Sequence, residues 1–373
     1  MNETKNSQFN PNYAVPPGAV LQEWLEEHGM SQTEIAERMS RPIKTVNEII
    51  KGKTTITQET ALQLEAVTGT PASFWNNADR IYQERSARLE QQERFKSWES
   101  WARLFPFKDM LRLGWVAPVP NAPEPVPVPA LLRYFGVASP KAWNSHYGHV
   151  QVSYRQSQAF TSDLAHLAAW LRRGELQAQE TRCAEFNKNT FRAALCDVKA
   201  LTRSPIAEAC PKAATLCSNA GVAVAFVPEL PRTRVCGATR WLSPTKALIQ
   251  LSLRYKTDDQ LWFTFFHEAA HILLHSKKSI FLESDDQTTP EETEANTWAA
   301  DFLIPPDQLA AFLRTESLTR AAISRFAQQL AIAPGIVAGR LQHDDHLTFA
   351  RCGDLKRRIG WHEGLPIEKP AAS

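Results

Sequence analysis

Half of the twelve residues from Pro118 to Pro129 are proline (PVPNAPEPVPVP), and this run constrains the chain more than any other feature. Proline has no backbone N–H and a fixed φ, so neither a helix interior nor a central strand can pass through it, and an extended polyproline II spacer is favoured. The run therefore predicts a linker over 118–129 with a separate hydrophobic core on each side. A chain of 373 residues is long enough for two or three such cores without disulfide staples.

Charge is nearly balanced, 42 Lys+Arg against 40 Asp+Glu, so any nucleic-acid surface has to be local. The opening MNETKNSQFN lacks the apolar core of a secretory signal. No run approaches the roughly 18 apolar residues of a membrane span, and a cytoplasmic protein is expected. Six scattered cysteines, with no CxxC pair, read as reduced thiols acting as small buried hydrophobes.

On the N-terminal side, residues 15–72 alternate short helical stretches with tight turns. Ser31 reads as the N-cap of a helix to Arg38, Arg41 and Pro42 turn the chain, and Ile43 to Lys51 forms a second helix stopped by Gly52. Ile35, Ala36, Met39, Val46, Ile49 and Ile50 supply the contact between the two helices. That leaves Lys44, Thr45, Asn47 and Glu48 facing a major groove. Residues 1–90 carry more acid than base, but Arg38, Arg41, Lys44, Lys51 and Lys53 meet only Glu48 within 38–53, a local positive footprint suited to duplex DNA. The competing reading is a helical bundle used only for dimerisation or toxin docking. Residues 73–117 form a helical extension, with a charge-rich helix from about Phe74 to Trp101; the alternative to clean separation at the linker is that this segment, with Trp98, Trp101 and Phe105, docks on the core beyond the proline run and gates its cleft.

Beyond the proline run, 130–204 reads as a helical middle segment. In TSDLAHLAAWLRR, Leu164, Leu167, Ala168 and Leu171 share a face and Gly174 marks a stop. From Gly221 three runs, GVAVAFV, RVCGATRW and KALIQLS, predict a small antiparallel sheet. Its edge at Val235 to Trp241 is a place where an extended peptide could add as a strand.

The sharpest motif is His267-Glu268-Ala269-Ala270-His271, in a helical setting with a capping-box pattern at Thr257 and Gln260. Residues four apart share a helix face, so both imidazoles can reach one ion and Glu268 can meet water there. A third ligand is available in TTPEETEANTWAADFLIPP, where Thr289 caps and Pro290 starts a helix. Its buried stripe reads as Ala295, Trp298, Ala299, Phe302 and Leu303. Glu294 at the stripe's edge and Glu291 within it are the candidate carboxylates, with Glu292 read as a capping residue. For the oxyanion, His275, Tyr255 and Arg340 are equal candidates.

The stretches FTFFHEAAHILLH and TEANTWAADFLIP resemble the ImmA/IrrE family of metallo-endopeptidases, over roughly Pro205 to Gln342. That resemblance implies His267, His271 and Glu294 as Zn²⁺ ligands and Glu268 as the general base. The broader Glu-zincin pattern has Asp four residues after the ligand Glu. Trp298 stands there instead, which leaves Asp301 as the residue to orient His267. At the other end, the PG start, SQ helix entry, IIKGK, ALQLE and SFW resemble phage-repressor-type helix-turn-helix domains, particularly those of HigA-like antitoxins. By that resemblance Gln32 touches phosphate and Lys44, Thr45 and Asn47 read bases; Lys51, from the local positive footprint, is expected to bind duplexes without regard to sequence.

The expected fold is α+β: an all-helical helix-turn-helix domain, then a zincin-like core over 205–345 and a C-terminal tail over 346–373. The expected function is a zinc-dependent endopeptidase fused to an operator-binding domain, cleaving a repressor or antitoxin, with a toxin partner and a homodimer compatible with the resemblance. The alternative is a non-enzymatic antitoxin-type repressor whose peptidase-like domain binds a partner.

Overall fold

A computed structural model of the chain describes residues 13–117, 127–155, 164–277, 281–283, 289–315 and 317–369. It falls into two compact units, Met1–Glu99 and Ser100–Ser373.

The first unit contains α1 (Pro17–Glu27), α2 (Gln32–Arg38), α3 (Ile43–Ile50), α4 (Gln58–Thr68) and α5 (Ala72–Ser97). Ser31 Oγ accepts the Glu34 N–H at 3.1 Å and Thr57 Oγ1 accepts that of Thr60 at 3.2 Å, so two of the short helices begin on side-chain caps. α3 ends at Gly52, whose φ of +66° is a left-handed conformation that glycine adopts without strain. Ile35, Ala36, Met39, Val46 and Ile49 are buried together with Leu21, Leu64 and Trp75. The helices expected to contact one another do so.

The second unit opens with α6 (Glu99–Ala102), α7 (Phe107–Arg112), α8 (Pro127–Phe135) and α9 (Pro140–Arg155). The boundary between units thus falls before Ser100, not at the proline run. The reason is aromatic packing. Trp101 and Phe105, assigned to the extension 73–117, stack edge-on against Trp143, and Phe105 also meets Phe135 at 5.1 Å. Residues 118–126 of the expected linker lie outside the described residues. Its last three, Pro127 to Pro129, form the first turn of α8, where a missing N–H removes no helical hydrogen bond.

α10 (Leu164–Glu180), α11 (Lys188–Leu201) and α12 (Ile206–Ser218) follow. α10 continues through Gly174, the expected stop. The Gln250 side chain lies where a Cβ at that position would stand, so this glycine permits close packing rather than ending the helix.

β1 (Val222–Phe226), β2 (Gly237–Ser243), β3 (Lys246–Leu251) and β4 (Phe281–Glu283) form a sheet in the order β1-β3-β2-β4. β2 runs antiparallel to β3 and β4, whereas β1 is parallel to β3, so the sheet is mixed and not antiparallel throughout. β1 is buried at every residue, as suits a parallel strand covered on both faces. β2 has partners on both sides, so the edge expected at Val235 to Trp241 is occupied by β4 over Gly237 to Thr239.

α13 (Asp258–Leu274) packs beneath this sheet, beside α14 (Pro290–Leu303); α15 (Pro306–Thr315), α16 (Arg320–Gln329) and α17 (Pro334–His343) complete the helical side. The expected tail is structured. β5 (Ile359–His362) and β6 (Leu365–Glu368) form a hairpin, joined to the start of α13 by buried ion pairs. Asp258 accepts from Arg357 Nε at 2.7 Å, and Lys356 reaches Asp259 at 2.7 Å. Thr257 is the N-cap of α13 but makes no side-chain cap bond. Instead, Asp258 Oδ1 accepts the Asp259 N–H.

Candidate metal centre and nucleic-acid interface

His267, Glu268 and His271 all lie in the buried part of α13, each at most 1% exposed. Their spacing sets both imidazoles on one face, one turn apart. The two Nε2 atoms approach to 2.9 Å.

The carboxylate that joins them is Glu292. Its Oε2 lies 3.0 Å from His267 Nε2 and its Oε1 3.5 Å from His271 Nε2. Among the described residues, His267, His271 and Glu292 form a cluster whose ligand atoms lie within 4.8 Å of one another. Glu294, expected as the third ligand, instead pairs with His275 at 3.2 Å, and Glu291 is exposed. Helix geometry explains the exchange. At about 100° per residue, Glu292 sits within roughly 60° of Ala295, Ala299 and Leu303, while Glu294 lies about 160° away from it. Ala295, Ala299 and Leu303 are the buried apolar residues of α14. Glu292 also takes part in the cap, but through its backbone, which donates to Thr289 Oγ1 at 3.3 Å. Its side chain remains available for the histidines.

Asn296, one turn along from Glu292, accepts from His267 Nδ1 at 2.9 Å. An amide oxygen only accepts, so His267 carries its proton on Nδ1 and presents a bare Nε2 to the cluster. Asn296, and not Asp301, orients this ring. The sequence signal for it was the four-residue step from Glu292.

Electrostatics match a cation site. Burial raises the cost of charging Glu292, but with protons on the facing His267 and His271 nitrogens their hydrogen bonds outweigh it and hold the carboxyl at about 2; when those nitrogens are bare, a cation is what takes the protons' place. Burial lowers the pKa of His271, against the opposing pull of Glu292, which favours the neutral imidazole that binds metals.

Glu268 is packed against β2. Thr239 Oγ1 donates to its backbone carbonyl at 3.0 Å, and a Cβ on Gly237 would come within 2.8 Å of Glu268 Cγ. Of the oxyanion candidates, His275 bonds to His271 at 2.8 Å, Arg340 pairs with Asp344 at 2.5 Å, and Tyr255 is 45% exposed. An open hollow of about 820 Å³ beside Leu274, Glu294, Trp298 and Asp301 has none of His267, Glu268 or His271 in its wall.

In the first unit, Lys44 is exposed and only loosely paired, 3.8 Å from Glu48, and Lys51 is exposed. Thr45 is half-buried. Asn47 donates to Gln32 Oε1 at 3.2 Å, and Gln32 in turn donates to Gln22 at 3.2 Å. The structure therefore joins Gln32 and Asn47 across the two helices and leaves the two lysines exposed. Burial pushes the Cys210 and Cys217 thiols up to about 12, which makes them inert packing groups. Cys196 is exposed and Cys183 and Cys352 are only half-buried, unlike the buried role expected for all six.

Comparison with known proteins finds a match in each unit. A peptidase-family model described as an IrrE N-terminal-like domain matches residues 238–341, and one described as helix-turn-helix matches residues 21–75. Over 66 residues the chain is 34% identical to the uncharacterized HTH-type transcriptional regulator YddM of Escherichia coli (strain K12), covering 18% of this chain and 70% of that protein. The chain belongs to the helix-turn-helix family and carries an IrrE N-terminal-like domain behind it. Similar solved structures include an addiction module antidote protein of the HigA family from Coxiella burnetii, at 28% identity over 22% of this chain and 92% of that one, with a TM-score of 0.21. Another is PA4674 of Pseudomonas aeruginosa in complex with its operator DNA, at 29% identity over 20% and 82%, with a TM-score of 0.20. The His-His-Glu cluster lies within the IrrE N-terminal-like domain. No described helix is long and apolar enough to cross a membrane.

Proposed function

We propose that the IrrE N-terminal-like domain is a zinc-dependent endopeptidase of zincin type, fused to a domain that binds operator DNA, and that its substrate is a repressor or antitoxin protein. The convergence of His267 Nε2, His271 Nε2 and a Glu292 oxygen carries this reading. Their separations of 2.9, 3.0 and 3.5 Å bracket the edge of about 3.3 Å expected for a tetrahedron with metal–ligand bonds of about 2.0–2.1 Å. Three protein ligands of this kind leave a position open, as in a catalytic rather than a structural site. Bound zinc supplies Lewis-acid polarisation of a peptide carbonyl and acidifies water.

The chain's own residues do the rest. Glu268, next in sequence to a ligand and held under β2, accepts the proton of the attacking water and returns it to the leaving amine. Glu292 and the two imidazoles hold the ion, and Asn296 fixes the ring of His267. At the other end, α3 enters the major groove with Lys44, Thr45 and Asn47 toward base edges, while Gln32 and Lys51 contact phosphate.

Zinc content of the purified full chain, in zinc excess, tests the reading. Wild type and Glu268→Gln should hold stoichiometric zinc, and Glu268→Gln should cleave nothing. Glu292→Ala should lose the ion. Zinc retained by Glu292→Ala but lost by Glu294→Ala would refute the ligand set.

A further inference from the structure

His275 and Glu294 belong to neither ligand set nor core, yet they make a continuous chain with the site. Glu294 Oε2 lies 3.2 Å from His275 Nε2, and His275 Nδ1 lies 2.8 Å from His271 Nδ1. The His275 side chain is 6% exposed and that of Glu294 61% exposed, so the chain runs from solvent to the buried cluster.

We propose that Glu294 and His275 are positioning residues that fix the tautomer of His271 and thereby the metal-binding state of the site. The inference rests on the zinc reading above. A carboxylate only accepts, so Glu294 requires the His275 proton on Nε2. His275 Nδ1 is then bare and accepts from His271 Nδ1–H. His271 Nε2 is left with its lone pair facing the cluster, matching the state that Asn296 imposes on His267. Both Nε2 atoms and the Glu292 carboxylate are then acceptors around one point, which is what a cation needs. With the opposite tautomer, His271 Nε2–H would donate to Glu292 or His267 and fill that point with a proton. Glu294, two residues before Asn296, thus acts two imidazoles away from the cluster.

Zinc affinity, measured by competition with a chromophoric chelator on the full chain, reads this relay without any substrate. Loss of such an outer partner typically weakens metal binding ten- to hundredfold, and His275→Ala should do so. Glu294→Ala, at an exposed position that leaves the fold intact, should weaken it by up to about tenfold through the same route. The double variant should be no weaker than His275→Ala alone, because Glu294 acts only through His275. His275→Asn offers an amide oxygen near the lost Nδ1, so it should recover most of the affinity and be indifferent to Glu294→Ala. In the zinc-loaded protein with ¹⁵N-labelled histidine, His275 should show a protonated Nε2 and a bare Nδ1. Additive losses in the double variant, or a His275 proton on Nδ1, overturn the relay while leaving the ligand set standing. A wild-type chain that binds no zinc overturns both.

Discussion

Gly237→Ala is the substitution that most directly separates holding the ion from using Glu268. A Cβ at position 237 would stand 2.8 Å from Glu268 Cγ and 2.8 Å from Thr264 Cγ2, against an optimal carbon–carbon separation of about 3.5 Å or more. The neighbours must therefore give by roughly 0.7 Å. β2 cannot easily retreat, because it is paired with β3 on one side and β4 on the other, so the Glu268 side chain is the group that moves. Overpacking of this kind costs about 1–3 kcal/mol of stability. A misplacement of about 1 Å costs a reaction about a hundredfold, so the shift here should lower kcat by between tenfold and a hundredfold. His267, His271 and Glu292 are not among the closest neighbours of that Cβ, so zinc should stay. The assay is hydrolysis of a fluorogenic peptide pool on which wild type acts and Glu268→Gln does not, alongside zinc content and thermal unfolding. Wild-type activity, or loss of zinc together with activity, would refute the argument.

Asn296→Ala should weaken zinc binding by about ten- to hundredfold in the chelator competition, and Asn296→Asp should keep it, because the carboxylate still accepts from His267 Nδ1. Lys51→Ala should weaken all duplexes alike and reduce the salt slope by about one, whereas Asn47→Ala should cost about 1–3 kcal/mol at one base position in a gel-shift series. Arg357→Ala leaves Asp258, whose side chain is 1% exposed, without its cation, and should cost about 3–5 kcal/mol near neutral pH in denaturant unfolding. Burial already raises the Asp258 pKa, against the lowering effect of Arg357. An acid raised in the folded state binds protons more readily there than when unfolded, so its contribution falls as pH rises through that window. The deficit of Arg357→Ala should accordingly shrink on acidification. A fragment beginning near Ala130 should be less stable than one beginning near Ser100, because it lacks Trp101 and Phe105; equal unfolding midpoints would count against the boundary at Glu99.

What was legible in the sequence was local. Ser31, Gly52 and the apolar residues of the helix-turn-helix pair sit within a few turns of one another, so capping and periodicity alone place them. The HEAAH histidines are likewise one turn apart. The third carboxylate was misread for a physical reason: Trp298 and Phe302 looked like core and drew the apolar stripe of α14 toward Glu291 and Glu294. In the structure those two rings stack on each other at 4.8 Å and 11° and are only half-buried. Small alanines mark the buried side, and Glu292 shares it. Weighting Ala295 and Ala299 above the aromatics points to Glu292 and Asn296 together.

The remaining differences arise where distant segments meet. Arg357 reaches Asp258 across 99 residues, and nothing in the local pattern of 346–373 announces a hairpin that fastens the start of α13. Gly174 read as a stop because glycine weakens helices on its own, whereas here the missing Cβ makes room for Gln250. The proline run is the same case at larger scale. It reports what a backbone cannot do over a dozen residues, and it says nothing of where Trp101 and Phe105 find partners. Those rings pack with Phe135 and Trp143, and burial of aromatic surface, at roughly 25 cal/mol per Å² of apolar area, holds residues on the two sides of the run in one unit. The boundary before Ser100 therefore follows the packing of these aromatic side chains and not the position of the prolines.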